Sequence, residues 1–249
     1  MTNLTGKKAL VTGGSRGIGA AIVQALGEAG ADVVFTYLDR HDQARNRIEE
    51  LAAKGLPCAA YAMDQSEPDQ VHAVIEQLTG LWGRLDILVN NAGINKPTDF
   101  DQIQPEDWDR ILDVNLKGPF LVSQAALPLL KAAKQSSVVF IGSVSGQYGG
   151  PRTAHYAASK AGLISLAQVF ARFGAPFGIR ANTVAAGLIA SEMAQAGLQS
   201  AAVQAATKNI LLQRMGTPEE VAQAVVYLAS EASSYMTAQT LNINGGLYF

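Results

Sequence analysis

Cysteine is almost missing from this 249-residue chain: Cys58 stands alone, so no internal disulfide can form and no cysteine cluster can hold a metal. Histidine is scarce too, and His41, His72 and His155 are scattered without metal-ligand spacing. Neither charge is in excess: 19 Lys and Arg face 21 Asp and Glu, a net charge of −2, with no basic stripe. That excludes the electrostatic footprint of a nucleic-acid binder and the polybasic run of a protein held on anionic lipid. No apolar run reaches the roughly 18 residues that a membrane helix needs. The N-terminal MTNLTGKKALVTGG does not have the form of a signal peptide, because it runs straight into a strand and a Gly-rich turn. A cytoplasmic protein with no membrane or nucleic-acid partner is the expectation. What the chain does have is apolar residues, 48% of the total, enough for a large core. Cys58 lies in one such run, LPCAAYAM, and reads as an inert strand residue.

Short apolar runs alternate with longer helical patterns. KALVT, DVVFTY, CAAYAM, LDILVNN, SVVFIGS, GIRANTVAAG and TLNINGG read as strands. Between them lie helical patterns: GAAIVQALGEAG stopped at Gly30, RHDQARNRIEELAAKG stopped at Gly55, EPDQVHAVIEQLTGLWG with Pro68 in its first turn, and one long helix from about Pro105 to Ala133. AHYAASKAGLISLAQVF follows the fifth strand, and TPEEVAQAVVYLAS carries a capping-box pattern, Thr217 with Glu220. Nearly unbroken apolar strands alternating with helices predict an α/β fold: a doubly wound parallel sheet covered by helices on both faces. No linker or repeat divides residues 1–249, so a single domain is expected.

The first turn is Thr12-Gly13-Gly14-Ser15-Arg16-Gly17-Ile18-Gly19, between a strand and a helix. Glycines there let a backbone approach a pyrophosphate, and the helix N-terminus offers N–H groups to it. The spacing, Gly-x-x-x-Gly-x-Gly, is looser than the usual dinucleotide fingerprint and also suits a plain tight turn. At the end of the second strand an acid would favour NAD, and its absence makes room for the 2′-phosphate of NADP. Tyr37 stands there, with Arg16 and Arg40 in reach of a phosphate and Asp39 arguing the other way. The residues favour NADP(H), with NAD(H) as the alternative. Asp64 ends the third strand, as an acceptor for the adenine amino group or as an N-cap. Asn90-Asn91-Ala92-Gly93 ends the fourth, where a buried double Asn must be hydrogen-bonded and would tie strand ends together around a cofactor. In the long helix, Pro119 has no N–H, so the carbonyl of Asn115 loses its helical partner. The freed group marks an ordinary kink or a held water.

The stretch SVSGQYGGPRTAHYAASK sets Ser143 thirteen positions before Tyr156, and Lys160 one helical turn beyond Tyr156. An ammonium beside a phenol favours the phenolate, and a helix N-terminus acts the same way, so a lowered Tyr156 is the expectation. Such a phenol beside a serine hydroxyl suits proton exchange with a carbonyl or alcohol oxygen. Tyr-x-x-x-Lys also arises by chance, and gains meaning only from a cofactor site that reaches it. Substrate contacts are expected at Ser145, Tyr148, Gly187 and Leu188 beside Ser143 and Tyr156, with 188–214 read either as a lid or as a surface helix pair.

Taken in order, TGGSRGIG, Asp64, NNAG, Asn115, Ser143, Tyr156-x-x-x-Lys160 and the terminal INGG resemble the short-chain dehydrogenases/reductases, over essentially the whole chain. The compact branch that includes 3-oxoacyl-[acyl-carrier-protein] reductases and glucose-type dehydrogenases looks nearest. The resemblance implies a Rossmann core of seven parallel strands, hydride transfer with NAD(P)(H), a small carbonyl or alcohol substrate, and a homotetramer. It implies Tyr156 as general acid/base, Lys160 on the nicotinamide ribose, Ser143 on the substrate oxygen, and Asn115 holding a water. It also implies Gly187 and the Ile189 backbone at the nicotinamide, assisted by Ser191, where threonine is usual. Where the family has Pro-Gly after the sixth strand, this chain has Ala186-Gly187, so Ala186→Pro is expected to stabilise the loop or tighten cofactor binding. A sugar or polyol dehydrogenase and a non-catalytic dinucleotide-binding protein are the alternative readings.

Overall fold

The computed structural model describes residues 3–190 and 207–249. Seven strands form in the places the apolar runs predict: β1 (Lys8–Val11), β2 (Asp32–Tyr37), β3 (Cys58–Ala62), β4 (Ile87–Asn90), β5 (Ser136–Ser143), β6 (Ile179–Ala186) and β7 (Thr240–Ile243). They make one sheet in the order β3-β2-β1-β4-β5-β6-β7, every pair parallel. All of β4 and β5 is buried, as a sheet covered on both faces requires.

The α-helices among the described residues are α1 (Gly17–Glu28), α2 (His41–Ala53), α3 (Pro68–Trp82), α4 (Pro105–Leu112), α5 (Gly118–Ala125), α6 (Leu127–Ala132), α7 (Ser145–Tyr148), α8 (Ala154–Gly174) and α9 (Pro218–Ala229). Alternation along each strand sorts them. Ala9 and Val11 of β1 pack with Ile22, Leu26, Leu51 and Val225 of α1, α2 and α9 on one face. Leu10 between them joins Val74, Leu78, Leu130, Leu163 and Phe170 of α3, α6 and α8 on the other. The capping box of α9 is present, with Glu220 accepting from the Thr217 N–H at 2.8 Å.

The long helix expected from Pro105 to Ala133 is instead broken into α4, a π-helical turn over Asp113–Lys117, α5 and α6. Proline explains the breaks. Pro119 and Pro128 have no N–H to donate, and each sits in the first turn of a new segment. In the π turn the Gly118 N–H reaches back five residues to the Asp113 carbonyl.

β1 has β2 on one side and β4 on the other, so the chain reverses its winding there. In such sheets ligands bind beyond the carboxyl ends of the strands at that reversal. Tyr37 and Ser143 close strands at those ends, and Gly13, Asp64, Asn91 and Gly187 follow strands there.

Candidate active site

The turn after β1 is fastened to the exit of β4. Thr12 is buried, and its hydroxyl accepts the N–H groups of Asn91 and Ala92, each at 3.0 Å. The Asn91 amide donates to the carbonyls of Thr12 (2.9 Å) and Gly13 (3.0 Å), so its side chain serves the turn itself. Gly13 adopts a left-handed φ of 68°, and a Cβ on it would lie 2.9 Å from Ala92 Cα. Gly19 likewise leaves no room for a Cβ, against Gly13 and Asn91. The outer side is different. At Gly17 nothing lies within 4 Å of where a Cβ would stand, and α1 begins there with no side-chain cap on its N–H groups. Ser15 and Ile18 are half-buried beside it, and Arg16 is exposed. An open concavity lined by backbone donors suits a pyrophosphate.

At the end of β2 the Tyr37 hydroxyl and His41 Nδ1 lie 3.1 Å apart, and no buried acid is present. Arg40 and Asp39 are both exposed and only loosely paired, at 3.9 Å. Asp64 is more committed. It accepts the Ser66 N–H (2.9 Å) and hydroxyl (2.6 Å) on one oxygen and Arg110 Nη2 (3.0 Å) on the other. Burial raises its carboxyl, but Ser66 and Arg110 together outweigh that and hold it below the usual range.

Ser143 closes β5, nearly buried, and its oxygen accepts the Ser145 N–H at 3.1 Å. Tyr156, in the first turn of α8, lies beside Ser143, whose hydroxyl eases ionisation of the phenol. Buried His155 accepts the Tyr156 N–H on Nδ1 at 2.9 Å, which satisfies one of the free backbone donors in the first turn of α8. Lys160, also buried, donates to the Ile141 carbonyl at 2.8 Å and lies 5.6 Å from the Tyr156 ring. Its position one turn along is as the spacing predicts; the electrostatics are not. Burial pushes the Tyr156 phenol up, with the Ser143 bond only partly opposing it. Burial also pushes the Lys160 ammonium down to about 8. The phenol is therefore raised rather than lowered as expected, because burial is the leading cause at both groups.

Asn115 is fully buried in the π turn. Its amide accepts the Ile94 N–H (2.8 Å) and donates to the Ile94 carbonyl (2.9 Å), gripping the loop after β4 at two points. Gly93 marks where the cluster converges: a Cβ there would lie 3.2 Å from Asn115 Oδ1 and 3.4 Å from Lys160 Nζ.

After β6, Gly187 donates to the Ile243 carbonyl at 2.9 Å, and a Cβ on it would lie 2.6 Å from Asn244 Cα. Ala190 donates to Gly216, and Gly216 donates to the half-buried Leu188. This parallel bridge at Ile189 turns the N–H and carbonyl of Ile189 itself away from Gly216. Ser191 and most of the proposed lid lie outside the described residues. Of the residues expected to meet substrate, half-buried Ser145 opens α7, and Tyr148 stacks on Tyr248 with centroids 5.8 Å apart. Tyr248, Arg110 and Gln65 escaped the sequence reading. Gln65 alone carried a signal, standing next to Asp64 at a strand end.

A dinucleotide cradle at the winding reversal and a Ser–Tyr–Lys cluster on the neighbouring strand ends define an oxidoreductase that uses a nicotinamide dinucleotide. A family model described as Enoyl-(Acyl carrier protein) reductase matches residues 13–248. The 3-oxoacyl-[acyl-carrier-protein] reductase FabG of Thermotoga maritima is 40% identical over 248 residues, 98% of each chain. That of Staphylococcus aureus is 39% identical over 242 residues, 97% of this chain and 98% of the relative. The crystal structure of gox2181 superposes with a TM-score of 0.95 at 35% identity, covering 98% of this chain and 96% of that one. The chain belongs to the short-chain dehydrogenase/reductase family.

Proposed function

We propose that this protein is an NADP(H)-preferring ketoreductase whose substrate is a 3-oxoacyl thioester or a related small ketone. The observation that carries it is the convergence of the Lys160 and Asn115 heads on Gly93, with Lys160 one helical turn from Tyr156 and Ser143 beside that phenol at the end of β5. The activity named for the two relatives supports the thioester. The missing acid at Tyr37 and the exposed Arg16 and Arg40 support the phosphorylated dinucleotide.

The residues present fit that cofactor. The Gly17 side of the first turn and the α1 N-terminus would hold the pyrophosphate, and the outward-turned backbone of Ile189 the carboxamide. When bound, the dinucleotide supplies or accepts the hydride. Tyr156 donates its proton to the carbonyl oxygen, and Ser143 hydrogen-bonds the same oxygen as charge develops on it. Lys160, next to Tyr156 and Asn115, replenishes the proton, with a water at the Asn115 turn as the outlet. The single-domain subunit assembles as a cytoplasmic homotetramer. The tetramer rests on the family resemblance, and apolar surface on α5 and α8, where Phe120 is 44%, Val169 61% and Phe173 50% exposed, fits burial by a partner subunit.

The test is nicotinamide absorbance with NADH and NADPH separately, against a 3-oxoacyl thioester, small ketones, a polyol and an enoyl thioester. Turnover of a ketone with NADPH is expected. Turnover of the enoyl thioester alone would move the reading to carbon–carbon double bonds, the chemistry named by the family model. Tyr156→Phe should lower ketone turnover by about 10²- to 10⁴-fold and leave dinucleotide binding intact. A near-normal rate in that variant would refute the mechanism.

A further inference from the structure

We propose that Gln65 is a positioning residue for this site: its side-chain amide stands in for the backbone N–H that Pro119 lacks, and so fixes the turn that carries Asn115. The consequence for turnover rests on the reading of Asn115 and Lys160 above; the hold itself does not.

The π turn sets the requirement. Because the Gly118 N–H bonds the Asp113 carbonyl, five residues back, the same frame asks residue 119 to serve the carbonyl of Val114. Residue 119 is proline, so that carbonyl has no helical donor. Gln65 Nε2 supplies one, at 2.8 Å. Its other hydrogen goes to the Ala92 carbonyl at 3.0 Å. One amide thus joins the π turn to the loop after β4. The loop is then held from both flanks: Ala92 by Gln65, and Ile94 by Asn115. Gly93, against which Lys160 Nζ and Asn115 Oδ1 pack, lies between the two.

Two further facts fit. Gly118 is the residue that lets Gln65 in, since a Cβ there would lie 2.6 Å from Gln65 Cγ and 3.2 Å from Nε2. Gln65 is 3% exposed, yet its Oε1 is buried without a hydrogen-bond partner. A side chain that only filled space would serve better without such an oxygen, because a buried orphan acceptor is unfavourable. The two donors are the reason for an amide at this place.

Gln65→Met keeps the volume and removes the donors. It should lower kcat by about tenfold, the worth of one to two hydrogen bonds, and weaken dinucleotide binding by a similar factor. It should also shift the pH profile of kcat, while KM for the ketone stays within about twofold. Pro119→Ala added to Gln65→Met returns an N–H to the Val114 carbonyl and should recover at least about threefold of the loss. A wild-type rate in Gln65→Met, an unchanged pH profile, or strictly additive effects of the two substitutions would overturn the proposal. If Gln65→Met fails to fold, the full-length wild-type protein still decides by NMR. Both Gln65 side-chain amide hydrogens should exchange at least about 100-fold more slowly than those of exposed glutamines. Exchange at the exposed rate would overturn the hold. The exchange measurement needs no ketone, so protected hydrogens in a protein without turnover would count against the proposed function and for the hold.

Discussion

Lys160→Met should make the protein more stable near neutral pH, and the gain should vanish as the pH rises. Lys160 is 4% exposed, and burial lowers its ammonium from 10.5 to about 8. A folded-state value below the unfolded one means that the folded chain binds this proton less readily. The fold therefore carries a charging penalty below about pH 8, which fades as pH rises from about 8 toward 10.5. At about 1.36 kcal/mol per pH unit the penalty is about 3 kcal/mol near pH 7 and about 1.5 kcal/mol near pH 9.5. Methionine removes it and forfeits the bond to the Ile141 carbonyl, a loss of about 1.5 kcal/mol. The variant should be more stable by about 1 to 2 kcal/mol near pH 7, and that advantage should shrink to about zero near pH 9.5. Tyr156, whose raised phenol affects stability only above about pH 10, is common to both proteins and cancels. Urea unfolding of the two proteins at several pH values between these limits measures the difference. A difference that does not change with pH would show that Lys160 keeps an ordinary ammonium, and the argument from burial would be wrong.

Thr12→Val keeps the shape of a fully buried side chain but strips the acceptor from two backbone N–H groups, those of Asn91 and Ala92. Unfolding should become easier by about 2 to 4 kcal/mol, and dinucleotide affinity measured by fluorescence titration should fall with it. Ala186→Pro, expected from the sequence to stabilise, should leave the melting temperature within a few degrees of wild type. The Ala186 carbonyl accepts from Val144 at 2.9 Å, and in a parallel ladder its N–H faces the same strand, so proline removes a ladder donor. That loss, about 1 kcal/mol, offsets an unfolded-state gain of about 0.4 to 1 kcal/mol. A rise in melting temperature worth more than about 1 kcal/mol would show that the donor is not used.

What the sequence made legible is what local pattern encodes. The strands could be read because a parallel strand buried on both faces must be apolar along its length, as β4 and β5 are. The capping box at Thr217 was read from four adjacent letters. Pro119 told of a lost helical bond, and the helix does break there, but the five-residue frame assigns the missing N–H to the Val114 carbonyl rather than to that of Asn115. That the break would take the form of a π turn could not be read, because the donor that completes it, Gln65, is 49 positions away. Asp64 left two readings open for a similar reason: its ion pair reaches Arg110, 46 residues on. The Tyr156–Lys160 face was visible in a four-residue spacing, whereas the direction in which each group titrates was not. Spacing reports which groups are neighbours; burial, a property of the whole packed fold, decides which charge state the neighbours prefer.

That last point bears on how the proposed proton path works. Tyr156 pushed up and Lys160 pushed down both favour neutral forms, so the pair does not rest as a phenolate beside an ammonium. A phenol that keeps its proton is a proton donor in the right state when a carbonyl arrives, and it gives the proton up only as negative charge develops on the substrate oxygen. Among the described residues, Ser143 is the contact that eases ionisation of Tyr156, and in the proposed mechanism it faces the substrate oxygen. Lys160, near 8, can lose or regain a proton close to neutral pH, as a relay must and an ordinary lysine does not. The arrangement therefore depends on dry, rigid surroundings more than on charge pairing. Those surroundings come from the hydrogen bonds of Thr12, Asn91, Asn115 and Gln65 that fix the loops around Gly93. Loosening any of them should hydrate Lys160 beyond the one proposed water and return its ammonium toward an ordinary value, out of the range that the proposed relay needs.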